Sequence, residues 1–220
     1  MGRLITRRRI LSSSLLTLPM LAAPGLVGVA AKGQACDVTA EQSEGPFYPT
    51  VPIESRSNLI PAASSQIQPA GVPIVVRGRL TDARCRPLAN GEVQLWQADA
   101  RGRYNHPGDR GGGGIESGFL YWGKTSTDKA GNYCFVTILP AAYPAGGSWM
   151  RPPHIHFKFS AGGDRQLTTQ MYFPGQPLND RDFLLQGVSA ARRRALIASP
   201  VSAEGQGPQS MAEYRFDVVI

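Results

Sequence analysis

Apolar and polar residues alternate along several short stretches of this chain, most plainly in His154-Ile155-His156-Phe157-Lys158-Phe159. Ile155, Phe157 and Phe159 fall on one side of the repeat, and His154, His156 and Lys158 on the other. A period of two is that of a strand, whose successive side chains point to opposite faces. The pattern predicts a half-buried strand with one face on a core. The other face would present two imidazoles spaced to share one metal ion. Further strands are predicted at residues 74–80, 92–97, 119–125, 132–138, 166–173 and 214–220, divided by turn-forming residues at 81–84, 88–91, 127–131 and 174–175. Residues 50–72 read as polar loop and 108–118 as a glycine-rich loop. Residues 180–198 read as the one helix, with Asp180 as its cap. Short strands at regular spacing predict an all-β fold, a β-sandwich of mostly antiparallel strands with long loops and one short C-terminal helix.

Composition agrees with that class. Hydrophobic residues make up 42% of the 220, enough for a core, and 25 glycines and 18 prolines supply turns. The formal charge of +7 points to nucleic acid only until its distribution is considered. Arg3, Arg7, Arg8, Arg9 and Lys32 precede Ala35 in a stretch without an acid, and the remainder carries 18 basic against 16 acidic residues. No nucleic-acid partner is expected. Arg192-Arg193-Arg194 reads as the solvated face of the helix.

Residues 1–35 read as a signal peptide, and 36–220 as a single domain. A basic region ends at Arg7-Arg8-Arg9, an uncharged stretch covers 10–31, and small residues follow at Val29-Ala30-Ala31 or Gly33-Gln34-Ala35. The paired arginines resemble a twin-arginine signal, which implies the twin-arginine export machinery as a partner and a periplasmic or secreted location. A permanent anchor is the competing reading, weakened by Ser12, Ser13, Ser14, Pro19, Pro24 and Gly25. Of Cys36, Cys85 and Cys134, an oxidising compartment permits one disulfide, and the sequence leaves the pairing open.

Two tyrosines fall where they bear on the histidines. Tyr104 follows a strand end in Gly102-Arg103-Tyr104, and Tyr143 lies in a proline-bounded loop just before the histidine strand. Six segments in order then resemble the intradiol ring-cleavage dioxygenases, most closely the protocatechuate 3,4-dioxygenase-like branch. They are Glu44-Gly45-Pro46-Phe47-Tyr48-Pro49; Leu95-Trp96-Gln97-Ala98-Asp99 with Gly102-Arg103-Tyr104; Thr127-Asp128 with Gly131-Asn132-Tyr133; Tyr143-Pro144; Arg151-Pro152-Pro153-His154-Ile155-His156; and Thr169-Gln170-Met171-Tyr172-Phe173.

The resemblance implies one mononuclear non-haem Fe(III), ligated by Tyr104, Tyr143, His154 and His156. Hard ferric iron suits anionic phenolate oxygen. Its charge would pull the tyrosine pKa far below the free value of about 10. The implied reaction is cleavage of a catechol-type ring by O2 between the two hydroxylated carbons, giving a cis,cis-muconate-type diacid. Tyr143 matches the ligand that also takes a substrate proton. Arg151 matches an arginine whose charge stabilises electron density on the ring, and Gln170 a glutamine behind the ligands. Pro46 and Tyr48 match an arm beside the substrate pocket. The catechol itself is not specified, and homo-oligomerisation is open. Two other classes compete: a non-catalytic prealbumin-like β-sandwich binding module, and a zinc hydrolase. The first has no reason to supply all four ligand positions, and the second lacks a carboxylate base near the histidines.

Overall fold

The computed structural model describes residues 35–60, 69–201 and 211–220. The basic leader and its uncharged stretch lie outside the described residues.

Among the described residues, eleven strands form two main sheets and a small ribbon. In the first sheet, β1 (Pro73–Thr81) pairs antiparallel with β4 (Asn132–Ile138). On its other side β1 pairs parallel with β10 (Ala212–Arg215) and, further along, with β11 (Val218–Val219), while β9 (Ser199–Val201) extends the sheet beyond β10. In the second sheet the order is β3 (Trp122–Ser126), β2 (Glu92–Gln97), β7 (His154–Ala161), β8 (Arg165–Tyr172), all antiparallel. The ribbon joins β5 (Tyr143–Pro144) to β6 (Met150–Arg151).

The alternation read from the sequence sorts side chains between the faces. Ile74, Val76 and Leu80 of β1, Tyr133 and Phe135 of β4, Val93 and Leu95 of β2, and Ile155, Phe157 and Phe159 of β7 are buried in one core cluster. Aromatic edges interlock there: Phe157 lies 6.2 Å from Phe135 and 5.5 Å from Phe216 between ring centroids.

Register then decides what lies on the opposite face of the second sheet. Residues paired across adjacent strands share a face. Trp96 pairs with His156 and His156 with Gln170, and in the next row His154 pairs with Tyr172. These five residues form one patch, and all are buried. The expectation of a half-buried strand is therefore corrected at this end of β7, where both faces are covered. The cover is the N-terminal arm, residues 35–49. It runs along the free edge of β8, with the Gln42 N–H donating to the Thr168 carbonyl at 2.9 Å and the Thr169 hydroxyl to the Ala40 carbonyl at 2.8 Å. A disulfide between Cys36 and Cys85 tethers its start, and Cys134 is left free on the exposed face of β4.

Three element assignments change. The single helix over 180–198 is broken into short turns: a 3-10 turn at Pro177–Arg181, α1 (Phe183–Gln186), α2 (Ala190–Arg193) and a 3-10 turn at Arg194–Leu196. Asp182 has an extended backbone (φ −79°, ψ 115°), so no helix runs through it, and it rather than Asp180 caps α1 through a bond from the Leu185 N–H. Arg193, placed on a solvated face from sequence, is partly buried and donates to the Gln186 side chain and the Val188 carbonyl. The strand predicted from 119 begins only at Trp122, because Tyr121 takes a left-handed conformation (φ 58°). The last strand divides at Phe216, whose ring is buried and whose carbonyl accepts the Tyr133 hydroxyl at 2.5 Å.

Candidate metal centre

The four tyrosine and histidine rings predicted as ligands converge at one end of the second sheet. Between ring centroids, His154 and His156 are 4.9 Å apart, Tyr143 and His154 5.5 Å, Tyr104 and Tyr143 5.5 Å, and Tyr104 and His156 6.2 Å. Tyr104, His154 and His156 are each 2% exposed and Tyr143 is 8% exposed.

The four rings come from three places: the loop after β2, the β5–β6 ribbon and strand β7. Tyr104 leaves β2 through a loop built on Asp99, a buried carboxylate that accepts the N–H groups of Arg101 at 2.8 Å and Arg103 at 3.0 Å. Asp109 then accepts the Tyr104 N–H at 2.6 Å. A Cβ on Gly102 would lie 2.6 Å from the Ala142 carbonyl, so this loop sits directly against the one that carries Tyr143. Tyr143 is the cross-strand partner of Arg151 in the ribbon. The His154 Nδ1–H donates to the Pro152 carbonyl at 2.7 Å, which fixes the tautomer and aims the Nε2 lone pair into the cluster. His156 stacks on Trp96, with centroids 5.0 Å apart and planes 14° apart.

The arm supplies the roof. Gly45 has φ 74°, and a Cβ on it would sit 3.2 Å from His156 Cε1. Phe47 packs on Tyr104 at 4.7 Å. Of the two arm residues singled out from sequence, Pro46 is exposed. Tyr48 lies edge-on to Trp96 and donates its hydroxyl to Gln94 at 2.7 Å. Phe47, which the sequence reading passed over, is the arm side chain stacked on a candidate ligand.

Arg151 and Gln170, each singled out from sequence, are hydrogen-bonded to one another, with further partners that the reading missed. Arg151 donates from Nε to the Asp182 carboxylate at 2.6 Å, and from Nη2 to the Gln170 Oε1 at 2.6 Å and the Tyr172 hydroxyl at 3.2 Å. Gln170 in turn donates to the Ser43 carbonyl at 2.7 Å. Asp182 carried no motif in the sequence, because its contact with Arg151 is made only by the fold.

The electrostatics keep all four rings uncharged in the absence of a metal. Burial, with the Arg151 charge nearby, pushes His156 down to about 3, and His154 lies well below the ordinary histidine value for the same reasons, with His156 adding to them. Both imidazoles are thus neutral at pH 7 with lone pairs free. Burial raises the Tyr104 and Tyr143 phenols above their ordinary value. The adjacent Tyr143 pushes Tyr104 further up, whereas Arg151 draws Tyr143 down. Among the described residues, the Tyr104 hydroxyl, His154 Nε2 and His156 Nδ1 are buried without a hydrogen-bond partner, a condition that ordinarily costs stability. Three orphaned donor atoms, two from β7 and one from the loop after β2, fit one hard, highly charged metal ion with two phenolate and two imidazole ligands. The described residues contain no group of three His, Cys, Asp or Glu that could hold a metal, so the donor set suits neither a thiolate nor a carboxylate-rich site.

The chain is thus a β-sandwich with a buried cluster of tyrosines and histidines, and comparison with known proteins places it in a family of dioxygenases. The Dioxygenase family model matches residues 43–220, and the chain belongs to that family. The relatives are intradiol dioxygenases. The chain is 36% identical to the protocatechuate 3,4-dioxygenase beta chain of Burkholderia cepacia over 208 residues, covering 84% of this chain and 87% of that one. It is 32% identical to a catechol 1,2-dioxygenase of Acinetobacter baylyi over 178 residues, covering 75% of this chain and 54% of that enzyme. Among solved structures, the dioxygenase domain of a dioxygenase carbohydrate-binding protein fusion from Streptomyces sp. SirexAA-E superposes with a TM-score of 0.62 at 33% identity, covering 84% of this chain and 98% of that domain. The non-catalytic binding module is not favoured.

Proposed function

We propose that this protein is an exported, ferric intradiol dioxygenase that opens a catechol-type ring with O2 between its two hydroxylated carbons. The observation that carries the reading is the convergence of Tyr104, Tyr143, His154 and His156, with three of their donor atoms buried and unpaired. These four residues would hold the iron. Bound there, ferric iron would supply the Lewis acidity that activates a catechol toward O2.

The remaining work falls to the chain's own groups. Burial raises the Tyr143 phenol and the neighbouring Arg151 charge offsets part of that; held as a phenolate by the metal, Tyr143 would accept a proton at its oxygen from the incoming catechol. Arg151 holds a fixed positive charge beside the ring position where electron density builds. Gln170 links that guanidinium to the arm through the Ser43 carbonyl. Phe47 and the arm exclude bulk water from the Tyr104 side. Export by the twin-arginine route is supported by the Arg7-Arg8-Arg9 leader, and a disulfide between Cys36 and Cys85 suits an oxidising destination.

The test is oxygen uptake by the purified, iron-loaded protein across a panel of catechol, protocatechuate, hydroxyquinol and larger lignin-derived catechols, with the visible spectrum recorded alongside. A red to brown tyrosinate-to-iron band that shifts on addition of a catechol is expected. A colourless protein that binds zinc, or no metal, overturns the reading. Tyr143→Phe should slow turnover while keeping most of the iron, and His156→Ala should strip the metal.

A further inference from the structure

Arg151 is anchored in a surprisingly short piece of backbone. β6 is two residues long and pairs only with the two-residue β5. Its guanidinium therefore depends on side-chain partners for its orientation. Asp182 supplies the main one. It is 0% exposed, and its two carboxylate oxygens do different jobs: Oδ2 accepts Arg151 Nε at 2.6 Å, and Oδ1 accepts the Leu185 N–H at 2.8 Å. One short side chain thus ties the guanidinium to the backbone of α1.

We infer that Asp182 is the positioning residue that sets the plane of Arg151 for ring cleavage, an inference that rests on the role given to Arg151 above. A guanidinium is planar, so bonds at Nε to Asp182 and at Nη2 to Gln170 and Tyr172 fix its orientation completely. The Tyr172 hydroxyl donates to Gln42 at 2.9 Å, so the docked arm completes the same network. Tyr143 faces this guanidinium because the two residues are cross-strand partners. Without Asp182 the charge stays in the site but loses its fixed aim.

The test is a double-mutant cycle on the iron-loaded protein: Asp182→Asn, Arg151→Gln and the two combined. Asparagine keeps an oxygen for the Leu185 N–H, so the cap survives. Asp182→Asn is expected to lower kcat by about tenfold or more with little change in KM or iron content. The combined variant should turn over no more slowly than Arg151→Gln alone, because Asp182 acts through Arg151. It buries no unpaired charge, so this comparison stands even where Asp182→Asn alone fails to fold. A second readout needs no metal: the Arg151 Nε–H of the metal-free protein should exchange slowly with solvent by NMR, and quickly in Asp182→Asn. Wild-type turnover in Asp182→Asn, multiplied losses in the combined variant, or unchanged exchange would each overturn the inference alone. An unsubstituted protein that cleaves no catechol would overturn the functional reading and this inference with it.

Discussion

Replacing Gly45 by alanine tests the roof of the site with a single methyl group. Two costs are expected. The first is conformational: Gly45 has φ 74°, in the left-handed region that costs an L-residue about 1–2 kcal/mol. The second is steric. The new Cβ would lie 3.2 Å from His156 Cε1 and 3.8 Å from its Nε2, so the imidazole must give by a few tenths of an ångström. It has little room to do so, because it is 2% exposed and stacked on Trp96, itself 1% exposed. Overpacking of this kind costs about 1–3 kcal/mol. Gly163, in the turn between β7 and β8, provides the control. Its φ is 76°, and a Cβ there meets nothing within 4 Å, so Gly163→Ala carries the backbone cost alone. By urea unfolding of the metal-free protein, Gly163→Ala should lose about 1–2 kcal/mol and Gly45→Ala about 2–5 kcal/mol. Only Gly45→Ala should also weaken iron retention and dim the visible band, since a ligand must hold its place to within about 0.5 Å. Equal losses in the two variants, with iron retained in both, would refute the account of the arm as a roof pressed on His156.

Three further outcomes are expected. Because the folded His156 value of about 3 lies below the ordinary 6.5, the unfolded chain binds the proton first; the metal-free protein should lose stability from about pH 6.5 down to about pH 3, by on the order of 4–5 kcal/mol for this group, as read from urea midpoints at several pH values. His156→Gln should flatten part of that slope. Cys36→Ser should cost about 3–4 kcal/mol, since the disulfide closes a 49-residue separation, and should speed iron loss to a chelator by freeing the arm; a chelation rate equal to wild type would separate the tether from the site. Phe157→Ala, at a fully buried ring between Phe135 and Phe216, should cost about 3–5 kcal/mol in calorimetry, and a loss below 1 kcal/mol would contradict the core described here.

Several features could be read directly from residue order. Alternation bounded by turn residues located β2 and β4 to the residue and β1, β7 and β8 to within one or two, because strand period and turn chemistry are local properties of the chain. The four candidate ligands were named through the resemblance of six ordered segments to a known family; local pattern alone offered the two histidines at i and i+2, while each tyrosine taken singly read as a packing residue. Where the reading failed, a long-range contact had overruled a local preference. Residues 180–198 have helical periodicity, yet Asp182 is drawn out of the helix to meet a guanidinium 31 residues away. Tyr121 breaks its strand while its buried hydroxyl bonds the Asp99 carboxylate at 3.1 Å.

The chain's own order of residues therefore determined which faces are apolar, where strands run and which donor atoms are on offer. Only the tertiary structure decided that Trp96, His156 and Gln170 share a row, that Cys36 pairs with Cys85, that Gly45 closes over His156 and Phe47 over Tyr104, and that Asp182 grips Arg151. The division has one cause. Periodicity and side-chain chemistry are set within a few residues, whereas register, covering segments and buried ion pairs depend on how distant stretches pack, and no local pattern encodes the partner.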